Sequence, residues 1–295
     1  SLKVGFKPSK NFKKIKHKIP MLSLGNAFNE EDLVNFEKKI LNFLSLGKSK
    51  EVEYSAEPKI DGVSASLIYK NGKFTQGLSR GDGTEGEDIT QNLMTIQDIP
   101  KIIKAKNFPS EIDIRGEVFI QNDDFERLNN YFANPRNAAS GSLRQKDSKV
   151  TSKIPLKFIA YTYGYAKNLN VNSQSEFLNN LNLWGFKINQ FNEIIKGVHN
   201  LVLHHKNLEE KRKEIQFDID GIVYKVNNFE LQKRLSFAAN APRWAIAHKF
   251  STNKSISEVL NSKSSNRSII NSLISKFFLL ICSFTHLPLR WEIFF

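Results

Sequence analysis

The chain has 295 residues, 40% of them hydrophobic and 25% charged, which is the composition of a globular protein with length for one large core or two ordinary domains. Its net charge of +13 points to a polyanionic partner such as nucleic acid or a phosphate-rich ligand, or else to a general bias toward lysine. A single cysteine, Cys282, excludes a disulfide framework and a four-cysteine zinc site within the chain, and it fits a reducing, cytoplasmic setting.

The first eighteen residues are rich in lysine but lack the continuous apolar core of a signal peptide. The first residue is not Met, so the chain reads as a fragment or a processed product. Residues 19–28, IPMLSLGNAF, are punctuated by Pro and Gly and read as an extended arm, which makes residues 1–28 a linker into the main domain. Asn29 is the expected N-cap of a helix whose Leu33, Phe36, Ile40 and Phe43 share one face and which ends at Gly47. Strands are predicted over 52–60, 63–69 and 73–79, the last two joined by the hairpin turn Asn71-Gly72.

The first of these strands ends in EPKIDG, residues 57–62. A period of two puts Glu57, Lys59 and Asp61 on one face, so that three charges share one surface. A lysine nucleophile must shed its proton near neutral pH, and two carboxylates alone favour the protonated form. Further cations, from a metal or from other Lys and Arg residues, are needed beside Lys59. So short a motif is also compatible with an ordinary charged strand face.

Residues 79–88, SRGDGTEGED, form a glycine-rich loop in which Arg80 supplies a permanent charge and glycine allows close approach to phosphate, although a flexible acidic loop has the same composition. A short helix or turn follows at 89–96. Residues 111–120 alternate as a strand, with Ile112, Ile114, Val118 and Ile120 inward and Arg115 and Glu117 on the other face. A helix from Asp123 to Tyr131, capped by Asn122, leads into FANPRNAASGSLRQ at 132–145, where small residues crowd between Asn134, Arg136 and Arg144. The two arginines can face one polyanion.

Residues 156–165 form an aromatic strand whose Tyr161 can stack on a base or serve the core. Helices are expected near 173–183 and 199–214. The strand FDIDGIVYKV at 217–226 again combines an acid, a glycine and a lysine. Asp220 and Lys225 point to opposite faces of a regular strand, unless Gly221 marks a bulge. In PRWAIAHKF, 242–250, Trp244, Ile246, His248 and Phe250 face one way, and Lys249 emerges on a face kept clear by alanines. Beyond about residue 253 the texture changes to a Ser/Asn-rich run and a short apolar stretch, too short to span a membrane, and this tail reads as foreign to the domain of residues 29–252.

HKIPMLSLGNAF, EPKIDG, SRGDGTEGEDIT, RGEVF, FANPRNAASGSLRQ, FDIDGIVYKV and PRWAIAHKF stand here in an order that resembles the adenylation (nucleotidyltransferase) domain of bacterial NAD-dependent DNA ligases. The resemblance runs from about Val4 to Phe250. It implies an α+β fold, a nucleotidyltransferase (ATP-grasp-like) core of antiparallel sheets with flanking helices. It also implies that Lys59 attacks the α-phosphorus of NAD, expels nicotinamide mononucleotide and becomes lysyl-AMP, with Mg²⁺ offsetting phosphate charge. The adenylate then passes to the 5′-phosphate of a nick in double-stranded DNA, which is sealed.

Carried over by position, Glu57 contacts the adenine amino group, Asp61 the ribose or a metal, and Arg80 and Glu117 the ribose. Tyr161 stacks on adenine with Lys225 nearby, Ser23 and Leu24 line the pocket, and Asn134, Arg136, Arg144, Asp220 and Lys249 complete the site. The resemblance leaves Arg136 and Arg144 free to serve DNA phosphates instead. It departs from the family at Thr162, where glycine is usual, and at Ser251, where proline is usual. The family's nicotinamide-mononucleotide-binding domain and its zinc module are absent from the sequence. A soluble monomer without membrane attachment is expected, unable to ligate alone, and its alternative is a non-catalytic remnant of a split or frameshifted ligase gene that binds AMP or nucleic acid.

Overall fold

A computed structural model describes residues 12–47, 50–128, 132–238 and 241–251. The tail expected at 253–295, and with it Cys282, lies outside these residues. Two β-sheets carry the fold, each with its own hydrophobic core.

The chain enters through β1 (Lys14–Lys16) and β2 (Gly25–Ala27) and continues into helix α1 (Glu30–Phe43). Asn29 caps α1, its side chain accepting from the Asp32 amide at 2.9 Å. The helix stops earlier than Gly47. Leu44 is its C-cap, and Ser45, at φ 53°, takes the left-handed turn expected of the glycine.

Next come β3 (Glu53–Ile60), β4 (Val63–Lys70) and β5 (Lys73–Ser79), the last two joined at Asn71-Gly72 with φ of 48° and 74°. Positive φ at both turn positions matches the hand of the strands, and a Cβ at Gly72 would lie 2.1 Å from the Ile103 carbonyl. The glycine-rich segment that follows is a built turn. Asp82 accepts from the amides of Thr84 and Glu85, both at 2.9 Å, and β6 (Glu85–Glu87) pairs with β1.

After α2 (Thr90–Leu93) the long strand β7 (Glu111–Ile120) crosses the sheet. Helix α3 (Asn122–Glu126) has Gln121, not Asn122, at its N-cap, with no side-chain cap bond. Residues 129–131, the end of the longer helix expected here, lie outside the described residues. Then come α4 (Pro135–Leu143), α5 (Ser148–Thr151), β8 (Leu156–Lys167), α6 (Gln174–Leu183), β9 (Glu193–Lys196) and α7 (Val198–Lys211). The described chain closes with β10 (Ile219–Val226), α8 (Phe229–Leu235), β11 (Phe237–Ala238), β12 (Ala241–Pro242) and β13 (Ala245–Lys249).

One sheet runs β5-β4-β7-β8 and is antiparallel throughout; the other runs β2-β13-β10-β3-β9, antiparallel except for the parallel β2–β13 edge. This is the expected α+β architecture. Tyr54, Ala56 and Ile60 of β3, Ile222, Tyr224 and Val226 of β10, and Ile246 of β13 face one core with α1 and α7. Each large aromatic buried there contributes about 2 to 3 kcal/mol. Tyr224 satisfies its hydroxyl by donating to the Leu201 carbonyl at 2.9 Å. The alternate residues of the same strands form the opposite face, which carries the charges.

Candidate functional site

Three strands meet in register at the charged face. Lys59 of β3 and Lys249 of β13 both pair with Gly221 of β10, so the two lysines flank a residue without a side chain. Gly221 is required there, because a Cβ would stand 2.2 Å from the His248 carbonyl. The register slips between Ile219 and Gly221, and the extra residue is Asp220. The bulge turns its carboxylate toward both lysines, to Lys59 at 3.2 Å and Lys249 at 2.5 Å. Burial alone raises the Asp220 pKa, but Lys59 and Lys249 outweigh it and hold the carboxyl below its usual range. Burial, then the charge of Lys59, lowers that of Lys249.

Glu57 lies two residues before Lys59 on the same face and is buried. Lys225 donates to Oε2 of Glu57 at 2.7 Å, while Ser55 and Gln174 donate to Oε1, both at 2.9 Å. Lys225 also donates to the Tyr161 carbonyl at 3.0 Å, and its Nζ lies 5.3 Å from the centroid of the Tyr161 ring. Asp61, just past the strand, receives Arg136 at 2.7 Å. Glu57, Lys59 and Asp61 thus share a surface as expected, yet each is matched by an opposite charge from elsewhere in the chain. Arg136, Lys225 and Lys249 are the added cations, and each comes with a carboxylate partner.

The other sheet faces this one with Ser64, Glu117 and Tyr161. Ser64 and Glu117 are directly paired across β4 and β7, and the serine donates to Glu117 at 2.9 Å. Gly62 lets these strands approach, since a Cβ there would meet the Val118 carbonyl at 2.4 Å and the Glu117 side chain at 2.8 Å. Burial pushes the Glu117 carboxyl up to about 7, against the pull of Lys59, Ser64 and Arg136. It can therefore hold or release a proton near neutral pH.

The arm closes one side. His17 meets the Arg80 carbonyl at 3.2 Å, Met21 donates its amide to the Gly83 carbonyl at 2.8 Å, and Arg80 donates to the Ser23 hydroxyl at 3.0 Å. Nε of Arg80 is buried with no protein partner among the described residues. Leu24 sits between Ser23 and β2. Arg115, itself paired with Asp113 of the same strand at 3.0 Å, anchors the arm by donating to the carbonyls of Ile19 and Pro20. Asn134 is occupied as the N-cap of α4, accepting from the Asn137 amide at 2.7 Å, and Arg144 at the far end of that helix bonds Glu87 at 3.0 Å. A solvent-open cavity of about 580 Å³ lies elsewhere, between the Asn71-Gly72 turn, residues 103–110 and residues 168–170, and contains none of the expected site residues.

The hard oxygens of Asp61 and Glu117 suit Mg²⁺ chemically, but no group of three acidic, His or Cys side chains converges as a metal cage among the described residues. Among the described residues no helix is long and apolar enough to cross a membrane. Gln174, Ser55 and Ser64 were not anticipated. Nothing in the local sequence marks them, because their partners lie on other strands or, for Ser55, two residues along one.

A family profile described as "NAD-dependent DNA ligase adenylation domain" matches residues 9–253. A DNA ligase of Pelagibacter ubique (strain HTCC1062) is 75% identical over 258 residues, covering 88% of this chain and 38% of the relative. One from Xanthobacter autotrophicus is 49% identical, over 85% of this chain and 36% of the relative. The chain thus spans less than two fifths of the length of these relatives. Among solved structures, an archaeal ATP-dependent RNA ligase aligns with a TM-score of 0.44 and 10% identity, over 78% of this chain and 48% of that one.

Proposed function

Since the chain belongs to the NAD-dependent DNA ligase adenylation-domain family, we propose that it forms a lysyl-AMP adduct on Lys59 from NAD, the first step of sealing nicked double-stranded DNA. The observation that carries this reading is the row Lys59, Gly221, Lys249 with Asp220 bulged between the lysines.

In the proposed step the Nζ lone pair of neutral Lys59 attacks the α-phosphorus, a P–N bond forms as the P–O bond to nicotinamide mononucleotide breaks and that group leaves with its phosphate, and Nζ gives up one proton and keeps one N–H in the adduct. Asp220 orients Nζ; its lowered pKa makes it a poor proton acceptor. Glu117, with a pKa near 7, is better matched to hold a proton there. Lys249 and Arg136 supply positive charge to the phosphates, and Arg80 offers its unbonded Nε–H to the nucleotide beside Ser23 and Leu24. Glu57 accepts from the adenine amino group, Tyr161 provides the stacking surface, and Lys225 holds the two together. Mg²⁺, held by the phosphates with Asp61 or Glu117, would neutralise developing charge. Transfer of AMP to a DNA 5′-phosphate and closure of the nick are proposed for the whole ligase, with Arg144 or Arg136 meeting the DNA backbone.

The test is incubation with adenylate-labelled NAD and Mg²⁺, with the family's small nicotinamide-mononucleotide-binding domain supplied in trans. A covalent adenylate that maps to Lys59 by mass spectrometry and is lost in Lys59→Ala supports the reading. No adduct under these conditions overturns it.

A further inference from the structure

Gln174 is the first residue of α6, only 1% exposed, and lies outside every motif that marks the site. Its side-chain amide nitrogen donates to Oε1 of Glu57 at 2.9 Å and to the carbonyl of Tyr161 at 2.7 Å. Both amide hydrogens are thereby used. Lys225 makes the same pair of contacts from the other side, to Oε2 of Glu57 and to the Tyr161 carbonyl. The four groups close a ring of hydrogen bonds. Glu57 belongs to the five-stranded sheet and Tyr161 to the four-stranded one, so this ring ties the two walls of the site together.

The main chain holds Gln174 in place. Its amide donates to the Asn227 carbonyl at 2.8 Å, Ser175 donates its amide to the Asn227 side chain at 2.9 Å, and Asn227 is itself fixed by Glu53 at 2.7 Å. Ser173 caps the helix through the Glu176 amide at 3.1 Å. A buried donor so anchored has little freedom to follow another geometry.

Among the described residues, the side chains bonded to the Glu57 carboxylate are all donors: Ser55, Gln174 and Lys225. What Glu57 presents to a ligand is therefore an acceptor at a fixed angle. A 6-amino purine offers the matching donor, whereas a 6-oxo purine offers a second acceptor and leaves both unpaired.

We propose that Gln174 is a positioning residue for base selection, holding the Glu57 carboxylate against the Tyr161 stacking surface so that adenylate is preferred to guanylate. This rests on the adenylation reading. It goes beyond that reading by assigning nucleotide discrimination to a side chain that does not itself touch the nucleotide.

Titration of the protein with AMP and with GMP separates the possibilities. Gln174→Met keeps the volume and removes both donors, so the AMP-to-GMP affinity ratio should fall roughly tenfold, as for loss of one buried charge-assisted hydrogen bond. Gln174→Asn retains the donor but withdraws it by one methylene; it should lower the ratio less, and it serves if the first variant does not fold. A purely structural residue would weaken both nucleotides equally. An unchanged ratio in a folded variant overturns the role of Gln174 while leaving the adenylation reading intact. A parent protein that shows no preference for AMP overturns base selection at Glu57, whereas the adenylation reading falls only if no adduct forms from NAD.

Discussion

Lys59 is paired with Asp220, 3.2 Å away, and not with either of the carboxylates in its own motif. The same aspartate holds Lys249 at 2.5 Å, so one carboxylate keeps two ammonium groups together. Asp220→Asn removes that charge and leaves two cations facing each other. The rate of lysine adenylation should fall by about 10²-fold, as for a nucleophile displaced by an ångström, with the fold retained by circular dichroism.

The Lys225–Glu57 pair is buried on both sides, with side chains 8% and 5% exposed. Lys225→Met strands a buried carboxylate on two neutral donors and should cost about 3 to 5 kcal/mol in urea unfolding. The double variant Glu57→Leu with Lys225→Met should recover most of this loss while still failing to bind adenylate, which separates the pair's part in stability from its part in recognition.

Two glycines in one sheet should respond differently. At Gly221 a Cβ would be 2.2 Å from the His248 carbonyl, so Gly221→Ala forces β10 and β13 apart, costs about 1 to 3 kcal/mol and displaces Lys249. At Gly25 nothing lies within 4 Å of a Cβ, and Gly25→Ala should be close to neutral. Thermal melts of the two variants side by side check the register described above.

Glu117 makes a pH-dependent contribution. Its folded pKa of about 7 lies above the ordinary 4.5, so the folded state binds its proton more tightly than the unfolded chain. The stability this confers is fully present below about pH 4.5 and is lost as pH rises through about 7, a change of up to about 3 kcal/mol. Glu117→Gln removes the dependence. Its stability relative to the parent should rise between pH 4.5 and 7 and then level off, measured by urea midpoints across that range.

The strands carrying Lys59 and Glu117 were legible because alternation and the Asn71-Gly72 turn act locally. The Gly221 bulge was also marked, since a glycine inside an apolar strand signals a bulge or a close backbone approach. What escaped was set by distant chain. Strand β9, Glu193–Lys196, is four residues without clear alternation and exists because β3 offers an edge. Strands β1 and β6 have three residues each and form only as a pair. Gln174 is an ordinary helix-start residue until Glu57 and Tyr161 close around it. The partner of each charge in EPKIDG was likewise unreadable, because Asp220 and Lys225 reach it only through strand order, and Arg136 only through the placement of α4.

The parallel contact of β2 with β13 joins nearly the first described strand to the last. On a ribosome, Lys59 emerges early, while Asp220, Lys225 and Lys249 leave the tunnel near the end of this domain. Pairings of such long separation form slowly and late. Lys59 therefore meets Asp220, and through it Lys249, only when the strands from the far end of the domain have joined the sheet.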